Sequence, residues 1–105
     1  TEIYTLSLHD ALPISVIDAC AETGTWIELN SNPYRFDLDW RLWPSARSKG
    51  VKCVINVDGH RHEHARFLRL GAGVARKGWL TKADVVNTLP LAKLRQALAA
   101  KGQKL

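Results

Sequence analysis

The sequence is expected to fold as an α/β unit with parallel strands, and three observations lead there. A strand-like run, Thr25-Trp26-Ile27-Glu28-Leu29-Asn30, and a second apolar run, Val51 to Val57, are each followed by helix-like stretches. The second run, VKCVINV, is nearly continuous in apolar and β-branched residues, the pattern of a strand buried on both faces of a parallel sheet. The joints are short, and strands alternating with helices across short joints give βα units rather than hairpins.

Taken in order, Val16 to Thr23 sets Val16, Ile17, Ala19 and Cys20 against Asp18 and Glu22 and stops at Gly24, as the last turns of a helix with a glycine C-cap do. The first strand alternates and runs into a loop, Ser31-Asn32-Pro33-Tyr34-Arg35, fixed by proline and asparagine. Asp37 or Asp39 then caps a helix through Trp40, Leu42, Trp43 and Ala46, with Pro44 tolerable only in its first turn and Gly50 as its stop. Three helical segments come after VKCVINV: Glu63 to Lys77 with Leu68, Leu70 and Val74 inward, Thr81 to Asn87 capped by Thr81 with Asp84 three residues on, and Leu91 to Ala100. Trp26, Trp40, Trp43 and Trp79 are expected in the core or between helices, and Cys20 and Cys53 as small core hydrophobes.

Residues 1–15 stand apart. TEIYTLSLHDALPI shows no periodicity that continues into the segment beginning at Val16, carries no Lys or Arg, and matches residue for residue the in-frame translation of a common sequencing adapter. It is read as an assembly scar and set aside, like a tag, leaving 16–105 as the native portion of a protein that continued upstream.

At 105 residues the chain holds one small domain at most. No apolar run approaches a membrane span, and the two cysteines lack the spacing of a zinc finger or a disulfide scaffold, so a reducing, cytoplasmic setting without membrane is expected. The formal charge of +5, with Lys and Arg gathered in the second half, suits a phosphate-bearing or nucleic-acid partner, although the same residues also make ordinary solvated helix faces.

Ligands of α/β sheets sit beyond the C-terminal strand edges, here around Asn30 to Arg35 and Asp58 to His60. Asp58 and His60 are alternate residues, so both side chains can enter one mouth, and carboxylate plus imidazole is a divalent-metal pair. By itself Asp-x-His is a weak signal, and a simple turn with an exposed histidine is the competing reading. Asn30 and Arg35 can hydrogen-bond substrate phosphate, for which the arginine fork is suited, or they can satisfy loop backbone and pair with Asp37. The cluster His60-Arg61-His62-Glu63-His64, with His60 and His64 one turn apart if helical, fits the solvated start of a helix better than a surface metal site.

Three blocks in order, GTWIELNSNPYRFDLDW, GVKCVINVDGH and RLGAGVARKGWLTKADVVNTLP, resemble the end of the PHP domain of bacterial and archaeal X-family DNA polymerases, across nearly all of Val16 to Leu105. The resemblance implies that the chain supplies about the last two strand-helix units and the C-terminal helices of a distorted (β/α) barrel of seven strands, a metal-dependent phosphoesterase. It implies up to three divalent ions, manganese or zinc, in the intact domain, and 3′–5′ exonuclease and 3′-phosphatase action on DNA in repair. The family's last metal motif falls on Asp58 and His60. Its other ligands, beginning with a His-x-His, belong upstream of Val16 and are not in this sequence, so the piece by itself is expected to be inactive and marginally stable. Two alternatives remain at this point: a stand-alone phosphatase of the histidinol-phosphatase type, and a non-catalytic basic module that binds nucleic acid.

Overall fold

The computed structural model describes residues 11–33 and 38–102. Helix α1 spans Ala11–Thr23 and so crosses the junction at Ser15 without a break. The expectation that nothing helical continues across that junction is therefore corrected. Alanine and leucine favour a helical start, and Pro13 falls in the first turn, where the amide hydrogen it lacks would have no partner. Gly24 ends the helix with φ +72°, and the Thr25 amide closes back onto the Cys20 carbonyl at 3.0 Å. Ile17 is fully buried, while Ile14 and Val16 are exposed.

Strands β1 (Ile27–Asn30) and β2 (Cys53–Asn56) pair in parallel, in a register that sets Ile27 against Cys53 and Asn30 against Asn56. Both are shorter than the apolar runs that predict them. Leu29, Cys53 and Ile55 join Ile17, Trp43, Ala46, Val51, Ala75 and Leu80 in the core. The alternate residues Glu28 and Asn56 are exposed and Val54 is half-buried, so burial of β2 on both faces is not found among the described residues. Strand alternation explains the difference: one set of side chains meets helices, and the other has no layer against it here.

Between the strands, Asp39 caps a 3₁₀ turn, Trp40–Leu42, by accepting the Arg41 amide hydrogen at 2.9 Å. The Arg41 guanidinium also grips both carboxylate oxygens, at 3.0 and 2.7 Å, and these bonds hold the Asp39 carboxyl below its ordinary pKa. Helix α2 (Trp43–Ser48) comes next with Pro44 in its first turn, as expected. Asp37, the other candidate cap, lies outside the described residues.

The 3₁₀ turn His62–Arg66 leads into α3 (Phe67–Lys77), whose buried residues are Gly71 and Ala75. Leu68 and Leu70, expected inward, are about half exposed. The inward face runs through Gly71, Val74, Ala75 and Gly78 at helical spacing, and its glycines let α3 lie close on the strands at Gly71 and on Trp43 at Gly78. The expected helix over Thr81 to Asn87 resolves into two 3₁₀ turns, Lys82–Asp84 and Val86–Thr88, because the extended Val85 between them bridges Cys53 in parallel. Asp84 accepts from the Thr81 amide and hydroxyl, both at 2.8 Å. Burial raises the Asp84 pKa, but the Thr81 hydrogen bonds and the Arg47 and Lys52 charges outweigh it and hold the carboxyl below its ordinary value.

Asn87 completes the outer edge of β2. Its side-chain oxygen accepts the Ile55 amide hydrogen at 2.7 Å and its nitrogen donates to the Ile55 carbonyl at 2.9 Å, as a neighbouring strand would. The outer edge of β1 has no such partner strand among the described residues. Helix α4 (Leu91–Ala100) buries no residue fully, and Lys101 ties its end to the body by donating to the Gly24 carbonyl and lying 4.8 Å over the Trp26 ring.

Of the four tryptophans only Trp43 is a core residue. Trp26 is half-buried and Trp40, 37% exposed, lies against the end of α3, whereas Trp79 is 69% exposed, which corrects the expectation that it packs in the core or between helices.

Cys53 is buried and Cys20 half-buried, and both are free thiols. Burial pushes the Cys53 thiol from an ordinary value of 9.0 up to about 12. The unfolded chain ionises this group first as pH rises. The Cys53 contribution to stability is therefore intact below pH 9.0 and lost progressively toward 12. Near pH 8 a thiol reagent is expected to modify Cys20 first and Cys53 only at the rate of unfolding; equal rates at the two sites would contradict this burial.

Candidate metal-binding edge of the sheet

The C-terminal ends of β1 and β2 lie side by side, and the side chains there are mostly polar. The parallel register carries on past β1, since the Ser31 amide donates to the Asn56 carbonyl at 2.8 Å and the Ser31 hydroxyl reaches the same oxygen at 3.1 Å. Ser31 is fully buried and Asn30 is 4% exposed. Asn30 is held at both ends of its amide: the oxygen accepts the Asn32 amide hydrogen at 3.0 Å, and the nitrogen donates across to Asp58 Oδ2 at 3.4 Å. Two residues singled out in the sequence, from two strand ends, are thereby brought into contact.

Asp58 sits two residues beyond β2 with φ +53°, a left-handed conformation that aspartate tolerates better than most residues. The turn presents the Asp58 carbonyl to His60 Nδ1 at 2.8 Å. A carbonyl can only accept, so Nδ1 carries the proton and the lone pair is on Nε2 of an exposed ring. Metal-ligating histidines are commonly fixed in this way, with the remote nitrogen free to bind. His64 is fixed in the opposite sense. Its Nδ1 accepts the His60 amide hydrogen at 3.0 Å, which leaves the proton of the neutral ring on Nε2, and the ring stacks on Phe67 at 5.1 Å. His64 thus serves the turn, in line with its reading as the start of a helical segment.

The donors at this edge are the Asp58 carboxylate, steadied by Asn30, and the outward Nε2 of His60, a carboxylate and an imidazole of the types that bind divalent ions. Among the described residues no three His, Cys, Asp or Glu side chains gather closely enough to hold a metal ion. A site built on Asp58 and His60 therefore needs ligands from elsewhere.

Arg35 lies outside the described residues, so its expected role at phosphate gains no geometry. Sequence reasoning missed Asn56, whose amide donates to Glu28 Oε2 at 2.8 Å on the exposed face of the sheet. The signal was available, because Asn56 precedes Asp58 by two residues at a strand end. The apolar cavity of about 260 Å³ lined by Trp26, Lys52, Val85, Val86 and Leu89 lies at the other, N-terminal end of the strands and has no carboxylate or imidazole in its walls.

No family model matches the chain. Over 76 residues, 72% of its length, it is 38% identical to the DNA polymerase/3′-5′ exonuclease PolX of Bacillus subtilis (strain 168). The chain is similar to part of a DNA polymerase. The aligned stretch spans only 13% of the length of that relative. No helix among the described residues is long and apolar enough to cross a membrane.

Proposed function

We propose that residues 16–105 form the distal part of a PHP-type metal-dependent phosphoesterase domain joined to an X-family DNA polymerase, cytoplasmic and acting on DNA ends in repair. The observation that carries this reading is the 38% identity to a polymerase with 3′-5′ exonuclease activity. The contact between Asn30 and Asp58 at the sheet edge supports it. The same identity favours a polymerase-linked domain over a stand-alone phosphatase of the histidinol-phosphatase type.

In this reading Asp58 and His60 hold a divalent ion together with ligands from the remainder of the protein. The bound ions would supply Lewis-acid charge to the phosphoester and its attacking water. Asn30 positions the Asp58 carboxylate by its hydrogen bond, and the Asp58 carbonyl holds the His60 ring with Nε2 outward. Arg35 would bind the substrate phosphate through its guanidinium fork. The outer edge of β1, which has no partner strand among the described residues, is where the preceding strand of a barrel would pair.

The test uses a longer protein that contains this segment, given a DNA substrate with a 3′ phosphate and manganese. Expected is hydrolysis that Asp58→Asn or His60→Ala removes while DNA affinity stays. Hydrolysis surviving both substitutions would overturn the assignment, and DNA affinity that falls steeply on changing Arg66 and Arg69, with Asp58 and His60 dispensable, would favour the binding-module reading instead.

A further inference from the structure

Helix α3 ends in a way that packing does not explain. The Trp79 amide donates to the Arg76 carbonyl at 3.0 Å and the Leu80 amide to the Ala75 carbonyl at 3.0 Å, the paired bonds of a Schellman cap. The residue just past the cap in that motif is left-handed and is usually glycine. Here it is Trp79, with φ +70°. The glycine stands one place earlier, at Gly78, where an added Cβ would come within 2.8 Å of Trp43 Cβ and 3.1 Å of the Trp40 carbonyl. Trp79 is therefore strained at its backbone, and its indole, 69% exposed, gains little burial in return.

The surroundings supply what the core does not. Close approach at Gly78 brings the Trp40 segment beside the end of α3, and Lys77 Nζ lies 4.6 Å over the Trp40 ring. An ammonium pinned on an indole loses little further freedom when it meets an anion. Arg76 and Lys77 are exposed and make no ion pair among the described residues, whereas Arg41 is tied to Asp39. An open indole two and three residues from two exposed cations, one of them held on the Trp40 ring, supplies in sequence the two needs of a single nucleic-acid strand, a surface for base stacking and charge for its phosphates.

We infer that Trp79, with Lys77 and Arg76, forms a platform for single-stranded DNA at the C-terminal end of α3, separate from the Asp58 edge near the helix's N-terminal end. The eleven residues of α3 separate the two by roughly 16 Å of helical rise. The inference rests on the proposed DNA substrate but adds a surface to it, at the opposite end of α3 from the candidate metal edge.

The test is fluorescence anisotropy of a labelled oligothymidylate with the full chain, alongside thermal melts. Expected is that Trp79→Gly weakens binding about tenfold, in the range for loss of one stacked base, without lowering Tm, because glycine relieves the left-handed backbone. Trp79→Phe should keep most of the affinity. Lys77→Gln should weaken binding less and flatten the salt dependence by about one phosphate contact. Unchanged affinity in Trp79→Gly, a lower Tm in that variant, or no measurable binding by the parent chain would each overturn the platform. The outcome is separable from the metal reading. Affinity lost at Trp79 with hydrolysis kept in Asp58→Asn leaves the platform standing, and the converse leaves only the metal site.

Discussion

In a longer protein carrying this segment, Asp58→Asn is expected to lower manganese-dependent phosphoester hydrolysis by about a hundredfold or more. Replacing residues that merely orient ligands already costs roughly 10- to 100-fold in metal affinity or activity, and a direct carboxylate ligand should cost at least as much. Asparagine is the informative replacement. It tolerates the φ of +53° at this position, and it keeps the side chain's size and a partner for Asn30, so the turn survives while the charge is lost. His60→Ala acts on the other donor and leaves the turn's backbone free to keep its shape. Equal losses from the two substitutions, with DNA affinity unchanged, are the pattern of a shared metal site. A loss confined to Asp58→Asn would mean that Asp58 acts without His60.

Gly71→Ala is expected to destabilise the fold by about 2 kcal/mol, or roughly 8–16 °C in Tm. The added methyl would lie 2.6 Å from Ser31 Cβ and 2.7 Å from Ile55 Cγ2, where ordinary carbon contacts are about 3.5–4.0 Å. Ser31 is anchored just past the end of β1 and Ile55 within β2, so α3 has to move outward. Alanine's better helix propensity returns only about 1 kcal/mol. Gly73, two residues on, is the internal control: a Cβ there meets nothing within 4 Å, so Gly73→Ala should stabilise by up to about 1 kcal/mol. Opposite signs at two glycines of one helix, read by thermal melts, would establish the close contact of α3 with the sheet. Like signs would refute it. The Gly71 contact also matters to the candidate site, because Ser31 is the neighbour of Asn30, which positions Asp58.

The order of elements was legible in the sequence because it depends on features that work locally. The Asp39 cap, Pro44 in a first turn, Gly24 and the Thr81–Asp84 pairing all appear where their chemistry places them. What was not legible depends on distant partners. The inward face of α3 is made of Gly71, Ala75 and Gly78, small residues suited to close approach, so a reading keyed to hydrophobicity selected Leu68 and Leu70 instead. Val85 left its helical neighbourhood to bridge Cys53, and Asn87 substituted its side chain for a strand; neither event has a local signature. At the candidate site, Asp58 and His60 could be named from their place after an apolar strand. The tautomer of His60 and the contact from Asn30 needed the turn's actual shape.

The most direct test of the metal assignment tracks the amide NMR spectrum of the full chain during addition of substoichiometric manganese, whose paramagnetism broadens nearby signals even when binding is weak. Expected is that the amides of Asp58, Gly59 and His60, with Asn30 across the strand ends, broaden first, and that Asp58→Asn abolishes this selectivity. Broadening that begins instead around His62 and Glu63, or that is unchanged in Asp58→Asn, would contradict a metal site on Asp58 and His60.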